Sequence, residues 1–240
     1  MWKLHGLARW ISKFGLMTRS DAERAVTAGQ VTLNGKVERD PERASNPDRD
    51  RIEVNGRPLR QEKKVYLALH KPVGPITTSL DPLGRTTAYD FLPAKAGRVQ
   101  AVGRLDADTS GLLLFTNDTE FAARVTNSEG EVEKVYEALV AGRVETASLR
   151  QFEAGVVLDG KPTRPAKARV LEALENATRV EVTLTEGRNR QVRRMWELLG
   201  HRVTALHRIR VGPVRLGDLA EGRSRPVTEW EREAILQAWK

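Results

Sequence analysis

The sequence predicts an α+β protein: a small α/β unit followed by a larger domain on a mixed, mainly antiparallel β-sheet with flanking helices. Three observations carry this expectation. Strand-like and helix-like segments mix without a regular strand–helix–strand period. Two Asn-Gly pairs, Asn34-Gly35 and Asn55-Gly56, each follow a short extended run, the strongest short-range hairpin signal. A polar stretch then separates these residues from a chain of different character. The expected organisation is a unit at 1–60, a linker at 61–64 and a second domain at 65–240.

In the first unit, Leu7, Trp10 and Ile11 recur at helical spacing and predict a helix over 7–13. Ser20 to Glu23 fits a capping box, with Ser20 as N-cap, for a helix ending near Ala28 before the stop supplied by Gly29. Residues 39–51 are charged and turn-rich, with Pro41 and Pro47, and read as a loop. In the second domain, 65–69, 112–116, 135–140 and 180–184 read as strands. Asp118 is placed to cap a helix through Val125, and 189–199 reads as a helix ended by Gly200.

The 240 residues are 40% hydrophobic, enough for a core, and carry a net charge of +8. That balance points to a polyanionic partner. The absence of cysteine excludes disulfides, thiolate metal sites and cysteine nucleophiles. The four histidines include no His-Glu-x-x-His pair, so a zinc hydrolase is not expected. Apolar runs are far short of a membrane span, and the N-terminus is basic without an apolar signal core, so a soluble, cytoplasmic protein is expected.

The densest chemistry-bearing stretch runs from Gly103 through Arg104, Asp106, Asp108, Thr109 and Ser110 to Gly111. It reads as a plain turn, as a two-carboxylate magnesium site on Asp106 and Asp108, or as one catalytic carboxylate with Arg104 aimed into the same cavity. An aspartic protease needs two contiguous Asp-[Ser/Thr]-Gly loops, and the chain has none. Between Gly187 and Arg215 there are eight arginines and one acid, Glu197. There Val192, Met195, Trp196 and Leu199 form an apolar stripe, with Arg190, Arg193 and Arg194 on the opposite side. So few acids would make a solvated face self-repelling, which favours a phosphate-rich partner.

Two resemblances follow from these residues. Phe14 to Glu23 and Ala28 to Lys36 resemble an S-four-type RNA-binding domain, named after a small-subunit ribosomal protein. Gly6 stands where that family commonly has Arg. The resemblance implies RNA contacts from Arg9, Lys13, Arg19, Arg24 and Lys36, reading backbone and shape, since A-form grooves hide base edges. The stretch Gly103 to Asp118, with Lys71-Pro-x-Gly74, Asp81 to Arg85, Glu133-Lys-Val-Tyr136 and Glu186 to Met195, is similar in order and spacing to bacterial rRNA pseudouridine synthases of the RsuA-like group. His70, Val73 and Pro75 depart from that pattern.

The second resemblance implies isomerisation of a ribosomal RNA uridine to pseudouridine, without cofactor or metal. Asp106 would be the essential carboxylate beside the anomeric carbon, as nucleophile or base, with Arg193 as its counter-ion. Tyr136 would stack on the uracil, although an ordinary core aromatic is the alternative without the motif. Arg104 would fill the gap left by the everted base, since only a base outside its helix can be reached. Lys71, Arg188, Asn189, Arg190, Gln191 and Arg194 are the remaining expected RNA contacts. The Asn189-Arg190 pair and Arg194 to Trp196 lean toward the large-subunit members. The expected partner is ribosomal RNA or a ribosomal-subunit assembly intermediate, bound by a monomer; the alternative function is a catalytically silent ribosome-assembly factor.

Overall fold

A computed structural model describes residues 4–60, 63–127 and 132–237. Linker positions Gln61 and Glu62 lie outside the described residues. The chain divides into two compact units, Met1–Lys64 and Val65–Lys240.

In the first unit the order is β1 (His5–Gly6), α1 (Leu7–Lys13), α2 (Arg19–Thr27), β2 (Val31–Leu33), β3 (Lys36–Glu38), β4 (Ala44–Ser45), β5 (Ile52–Val54) and β6 (Arg57–Pro58). Strands β3-β2-β5-β6 form an antiparallel sheet, and β1 pairs with β4. Leu7, Trp10 and Ile11 of α1 pack with Ala22 and Val26 of α2 over Val31, Ile52 and Val54. The cap of α2 is Thr18, not Ser20: its hydroxyl accepts from the Asp21 amide at 3.1 Å, and Ser20 lies inside the first turn. Thr18 and Asp21 repeat the capping-box spacing two residues earlier, where the helix actually begins. Asn34 and Asn55 have φ of 53° and 50°, each followed by a left-handed glycine, as two-residue hairpin turns require. The loop after β3 contributes β4, a two-residue strand too short to leave a sequence pattern.

The second unit contains β7 (Tyr66–Lys71), short 3₁₀ turns at Ala88–Phe91 and Ala94–Ala96, β8 (Gln100–Val102), β9 (Ser110–Thr116), α3 (Thr119–Thr126), β10 (Lys134–Ala141) and α4 (Thr146–Ala154). There follow β11 (Val157–Leu158), β12 (Lys161–Pro162), β13 (Lys167–Ala173), β14 (Ala177–Leu184), α5 (Gln191–Leu198), β15 (Val203–Val211), β16 (Val214–Arg215), β17 (Ser224–Pro226) and α6 (Glu229–Gln237). The main sheet runs β13-β14-β10-β15-β9-β7-β17, with β8 added to β9 and β16 to β15. Its pairings are antiparallel except β9 with β15. Asp118 caps α3 as expected, accepting from the Glu120 and Phe121 amides.

Two layers of side chains fix the sheet. Phe152 of α4 stacks on Trp196 of α5 at 4.6 Å, over Ala138, Val140, Val180 and Val182. Phe121 and Val125 of α3 pack with Ile235 of α6 over Leu112 and Leu114. Helix α5 begins at Gln191, two residues later than predicted, because Arg190 adopts a left-handed conformation (φ 48°, ψ 33°) that no helix interior accepts.

The arginine-rich stretch does not form one outward face. Its second half is strand β15, and Arg208 there is only 5% exposed, with its Nε donating to the Leu112 carbonyl at 2.7 Å. Arg210 pairs with Glu133 at 2.7 Å. The basic run thus passes from helix α5 into a central strand of the sheet, where its arginines meet interior partners.

Candidate active site

The stretch 103–109 is a loop joining β8 to β9, and three anchors hold it. Leu105 buries its side chain, while its backbone exchanges hydrogen bonds with the Thr77 hydroxyl (2.7 and 3.2 Å). The Gly74 amide donates to the Ala107 carbonyl at 2.7 Å. Lys71, fully buried, donates to the Thr109 and Pro72 carbonyls, both at 2.9 Å. Burial pulls the Lys71 ammonium down to about 8, and Asp106 and Asp108 draw it back up. Lys71 therefore supports the loop from beneath, and its expected RNA contact is corrected: a side chain at 0% exposure does not reach a phosphate.

Gly111 decides what lies behind the loop. At φ +107° it lets β15 approach so closely that a Cβ here would stand 2.3 Å from the Arg208 carbonyl oxygen. That approach permits the parallel register of His207 with Ser110 and of Arg208 with Gly111.

With its backbone so held, the loop turns its carboxylates toward α5. Both terminal nitrogens of Arg190 donate to Asp108, at 3.0 and 2.8 Å, and Arg190 Nη1 lies 3.6 Å from Asp106 Oδ2. Arg193, one helical turn further on, donates to the backbone carbonyls of Asp108 (2.7 Å) and Val203 (2.9 Å), with its Nε 3.5 Å from Asp108 Oδ2. The expected Asp106–Arg193 contact is thus corrected: among the described residues Arg190 is the cation within 4.0 Å of Asp106, and Arg193 acts on that carboxylate from further away. The left-handed turn at 190 sets that side chain ahead of the helix, whereas Arg193 emerges against the loop backbone. Arg190 hydrogen bonds hold the Asp108 carboxyl below its ordinary range, against the opposing effect of burial.

Asp106 and Tyr136 line one cavity of about 790 Å³, together with Arg104, Arg188, Asn189, Arg190 and Gln191. A cavity of this size suits a nucleotide-sized ligand. Asp106 is 29% exposed at its side chain, open enough to meet a ligand. Tyr136 is half-buried on β10, with the Arg208 guanidinium carbon 5.9 Å from its ring centre. The magnesium reading is not favoured: Arg190 takes both oxygens of Asp108, and no group of three or more His, Asp or Glu able to hold a metal exists among the described residues.

A family model for RNA pseudouridylate synthase matches residues 65–198. The chain belongs to the RNA pseudouridylate synthase family. The synthase is 39% identical to the ribosomal large subunit pseudouridine synthase B of Bacillus subtilis (strain 168), covering 94% of this chain and 93% of that one. It is 35% identical to an uncharacterized RNA pseudouridine synthase of Aquifex aeolicus (strain VF5), over 96% and 93% of the two chains. A crystal structure of a pseudouridylate synthase, 34% identical, superposes with a TM-score of 0.70 over 97% of this chain and 100% of the other.

Several residues expected to contact RNA hold the synthase together instead. Arg188 donates to the carbonyls of Lys161 (3.0 Å) and Pro162 and reaches Glu186 at 3.3 Å, so it clamps the β11–β12 hairpin. Gln191 is buried and donates to Glu186 at 2.6 Å. Arg194 grips Asp159 at that hairpin's turn, at 2.9 and 2.7 Å. Arg104, Asn189 and Arg190 remain exposed at the cavity. In the first unit Arg9 and Lys36 are exposed, whereas Arg19 pairs with Glu23 and Glu42, Arg24 with Asp21, and Lys13 lies 5.0 Å from the Trp10 ring centre.

Sequence reasoning missed Lys134, Arg164 and Arg208, all of which line the cavity. Lys134 had a signal, standing two residues before Tyr136 and so on the same strand face. Arg208 was hidden inside the basic run.

Proposed function

We propose that this synthase converts a specific uridine of ribosomal RNA, on the large subunit, to pseudouridine. The observation that carries the reading is the convergence of Asp106, Tyr136 and Arg104 on one cavity. The Asp106 carboxylate meets the anomeric carbon as nucleophile, or takes a ribose proton as base, while the base–ribose bond breaks. Arg190, with its Nη1 3.6 Å from Asp106 Oδ2, sets a guanidinium beside the reacting carboxylate. Arg193 acts one step back, fixing the loop through the Asp108 carbonyl. The Tyr136 ring stacks on the uracil, worth about 1–3 kcal/mol.

Everting the target costs a few kcal/mol, which Arg104 offsets by stacking and hydrogen bonding in the vacated space. Asn189 and Arg190, exposed at the cavity, meet neighbouring phosphates. Residues 1–60 act as an S-four-like RNA clamp through Arg9, Lys13, Arg19, Arg24 and Lys36. The protein works as a cytoplasmic monomer on ribosomal RNA or a subunit assembly intermediate. Among the described residues no helix is long and apolar enough to cross a membrane.

The test uses ribosomal RNA or subunits carrying tritium at uridine carbon 5. Release by the intact chain that is abolished in Asp106→Asn, with RNA affinity nearly intact, is expected. Undiminished release by Asp106→Asn overturns the role of Asp106. Tight binding without release on any ribosomal substrate overturns the activity.

A further inference from the structure

Two buried cations face the cavity with no carboxylate paired to them among the described residues. Lys134 and Arg208 are 9% and 5% exposed, and both line it. Arg208 is the β15 partner of Tyr136 in register, and Lys134 shares the Tyr136 face of β10. Among the described residues, Lys134 makes one hydrogen bond, a long one of 3.4 Å to the Thr185 carbonyl. No carboxylate lies within 4.0 Å of Lys134 or Arg208 among those residues; Arg208 is held through the Leu112 carbonyl.

The acids closest in sequence are already engaged. Glu133, preceding Lys134, serves Lys167 and Arg210. Glu186, following Thr185, accepts from Gln191 and the Arg164 amide and pairs with Arg188. Burial, and then the charges of Arg208 and Arg164, push the Lys134 ammonium down to about 8. Two desolvated cations side by side oppose folding unless they serve an anion that arrives with the ligand.

We infer that Lys134 and Arg208 form an anion subsite beside Tyr136 that stabilises the uracil while it is detached from the ribose. The inference rests on the reaction proposed above. Phosphates belong to a continuous backbone and stay at the mouth with Arg104, Asn189 and Arg190, whereas an everted base is the part that enters deepest. When the bond between ribose C1′ and uracil N1 breaks, its electron pair leaves with the base. That holds whether Asp106 bonds to C1′ or removes a ribose proton. The charge spreads from N1 onto O2 and O4, which two buried donors then face. The base rejoins through carbon 5, the C5 proton is released and N1 takes one up, so no outside oxidant or reductant is needed. Neutral bound uridine has no such charge, so the cations favour the cleaved state over the ground state.

The experiment is single-turnover tritium release at saturating ribosomal RNA from pH 6 to 9.5, with RNA affinity measured alongside. The charged and titratable groups that line the cavity beside Lys134 are Arg208, Arg164, Tyr136 and Glu186. The wild-type rate should fall as pH rises through about 8, where Lys134 loses its proton. Lys134→Met should be about 100-fold slower at pH 7 with RNA affinity within threefold. Lys134→Arg should retain most of the rate and lose the alkaline fall. A 5-fluorouridine substrate, whose base leaves more readily, should shrink the Lys134→Met deficit in base cleavage.

A Lys134→Met enzyme that turns over at the wild-type rate but binds RNA more than tenfold weaker overturns the inference in favour of a phosphate contact. If Lys134→Met does not fold, Lys134→Arg with an unchanged alkaline fall overturns it equally. Absence of release by the wild-type protein is a separate failure, that of the reaction itself.

Discussion

Arg190 holds both carboxylate oxygens of Asp108, at 3.0 and 2.8 Å. From that grip it stands 3.6 Å from Asp106. Two acidic residues at i and i+2 thus divide the work: one fixes the cation and the other stays open to the cavity. The arrangement depends on a left-handed residue at the start of α5, a conformation that a non-glycine residue adopts only when its surroundings hold it there.

Asp108→Asn should therefore slow single-turnover tritium release by about 10–100-fold, or about 1.4–2.8 kcal/mol. RNA affinity should stay level or rise, because Arg190 is released to meet phosphates. Asp108 is ionised at neutral pH, and its carboxyl lies below the ordinary range. The contribution is thus complete above that range and lost as pH falls through the depressed value. Wild-type and Asp108→Asn rates should converge on acidification.

Gly111→Ala should destabilise the larger domain by at least about 3 kcal/mol, combining left-handed strain with a clash against backbone. The atoms that a methyl group would meet are the carbonyl oxygen, nitrogen and carbonyl carbon of Arg208, at 2.3, 2.5 and 2.9 Å. None is a side-chain end that can swing aside. Thermal unfolding of the full chain measures this, and a melting temperature within 2 °C of wild type would refute the close approach.

Asp159→Asn should strengthen RNA binding. The Asp159 carboxylate occupies Arg194, and at 74% side-chain exposure it adds negative charge where phosphates are expected. Freeing Arg194 should steepen the slope of log affinity against log salt by about 0.7–0.9. Removing Arg190 and Arg194 together should flatten the wild-type slope by about 0.7–0.9, the share of Arg190 alone. Arg188→Met should leave the slope unchanged and instead speed hydrogen exchange in the β11–β12 hairpin that Arg188 clamps.

Acidification should loosen α6. Glu231 is buried, which on its own would raise its carboxyl, but hydrogen bonds from Arg225 and Thr228 outweigh burial and hold it below the ordinary range. Its stabilising effect is present above the usual glutamate value and disappears as pH falls through the lowered one. Glu231→Gln should lower stability by about 1–3 kcal/mol near pH 7. The wild-type and variant melting curves should merge at low pH.

Much of this protein is local in origin, and that part is legible. The helix over Leu7–Lys13, the Asn-Gly turns and the Asp118 cap depend on residues within one or two turns of each other, so the physics that forms them is written in adjacent letters. The loop 103–109 and its carboxylates were legible by the same logic, because glycines and short polar residues interrupt two apolar strands. The first α2 cap was misplaced because Thr18 and Ser20 offer equivalent hydroxyls, and the contacts of the helix choose between them.

Which charges meet was decided elsewhere. Arg193 and Arg190 look alike in sequence, and Arg188, Arg194 and Arg208 read as one basic surface. Partner choice among them follows from the parallel pairing of β9 with β15, from the left-handed turn at 190, and from the hairpin docked on α5. Ionic interactions fall off over a few ångströms, so their outcome depends on distances between segments about 80 residues apart along the chain. Sequence alone thus determined most of the elements, the loop 103–109 and the acidic residue at its centre. Tertiary structure assigned that residue its counter-ion, put Lys71 in the interior and lined the cavity with Lys134 and Arg208.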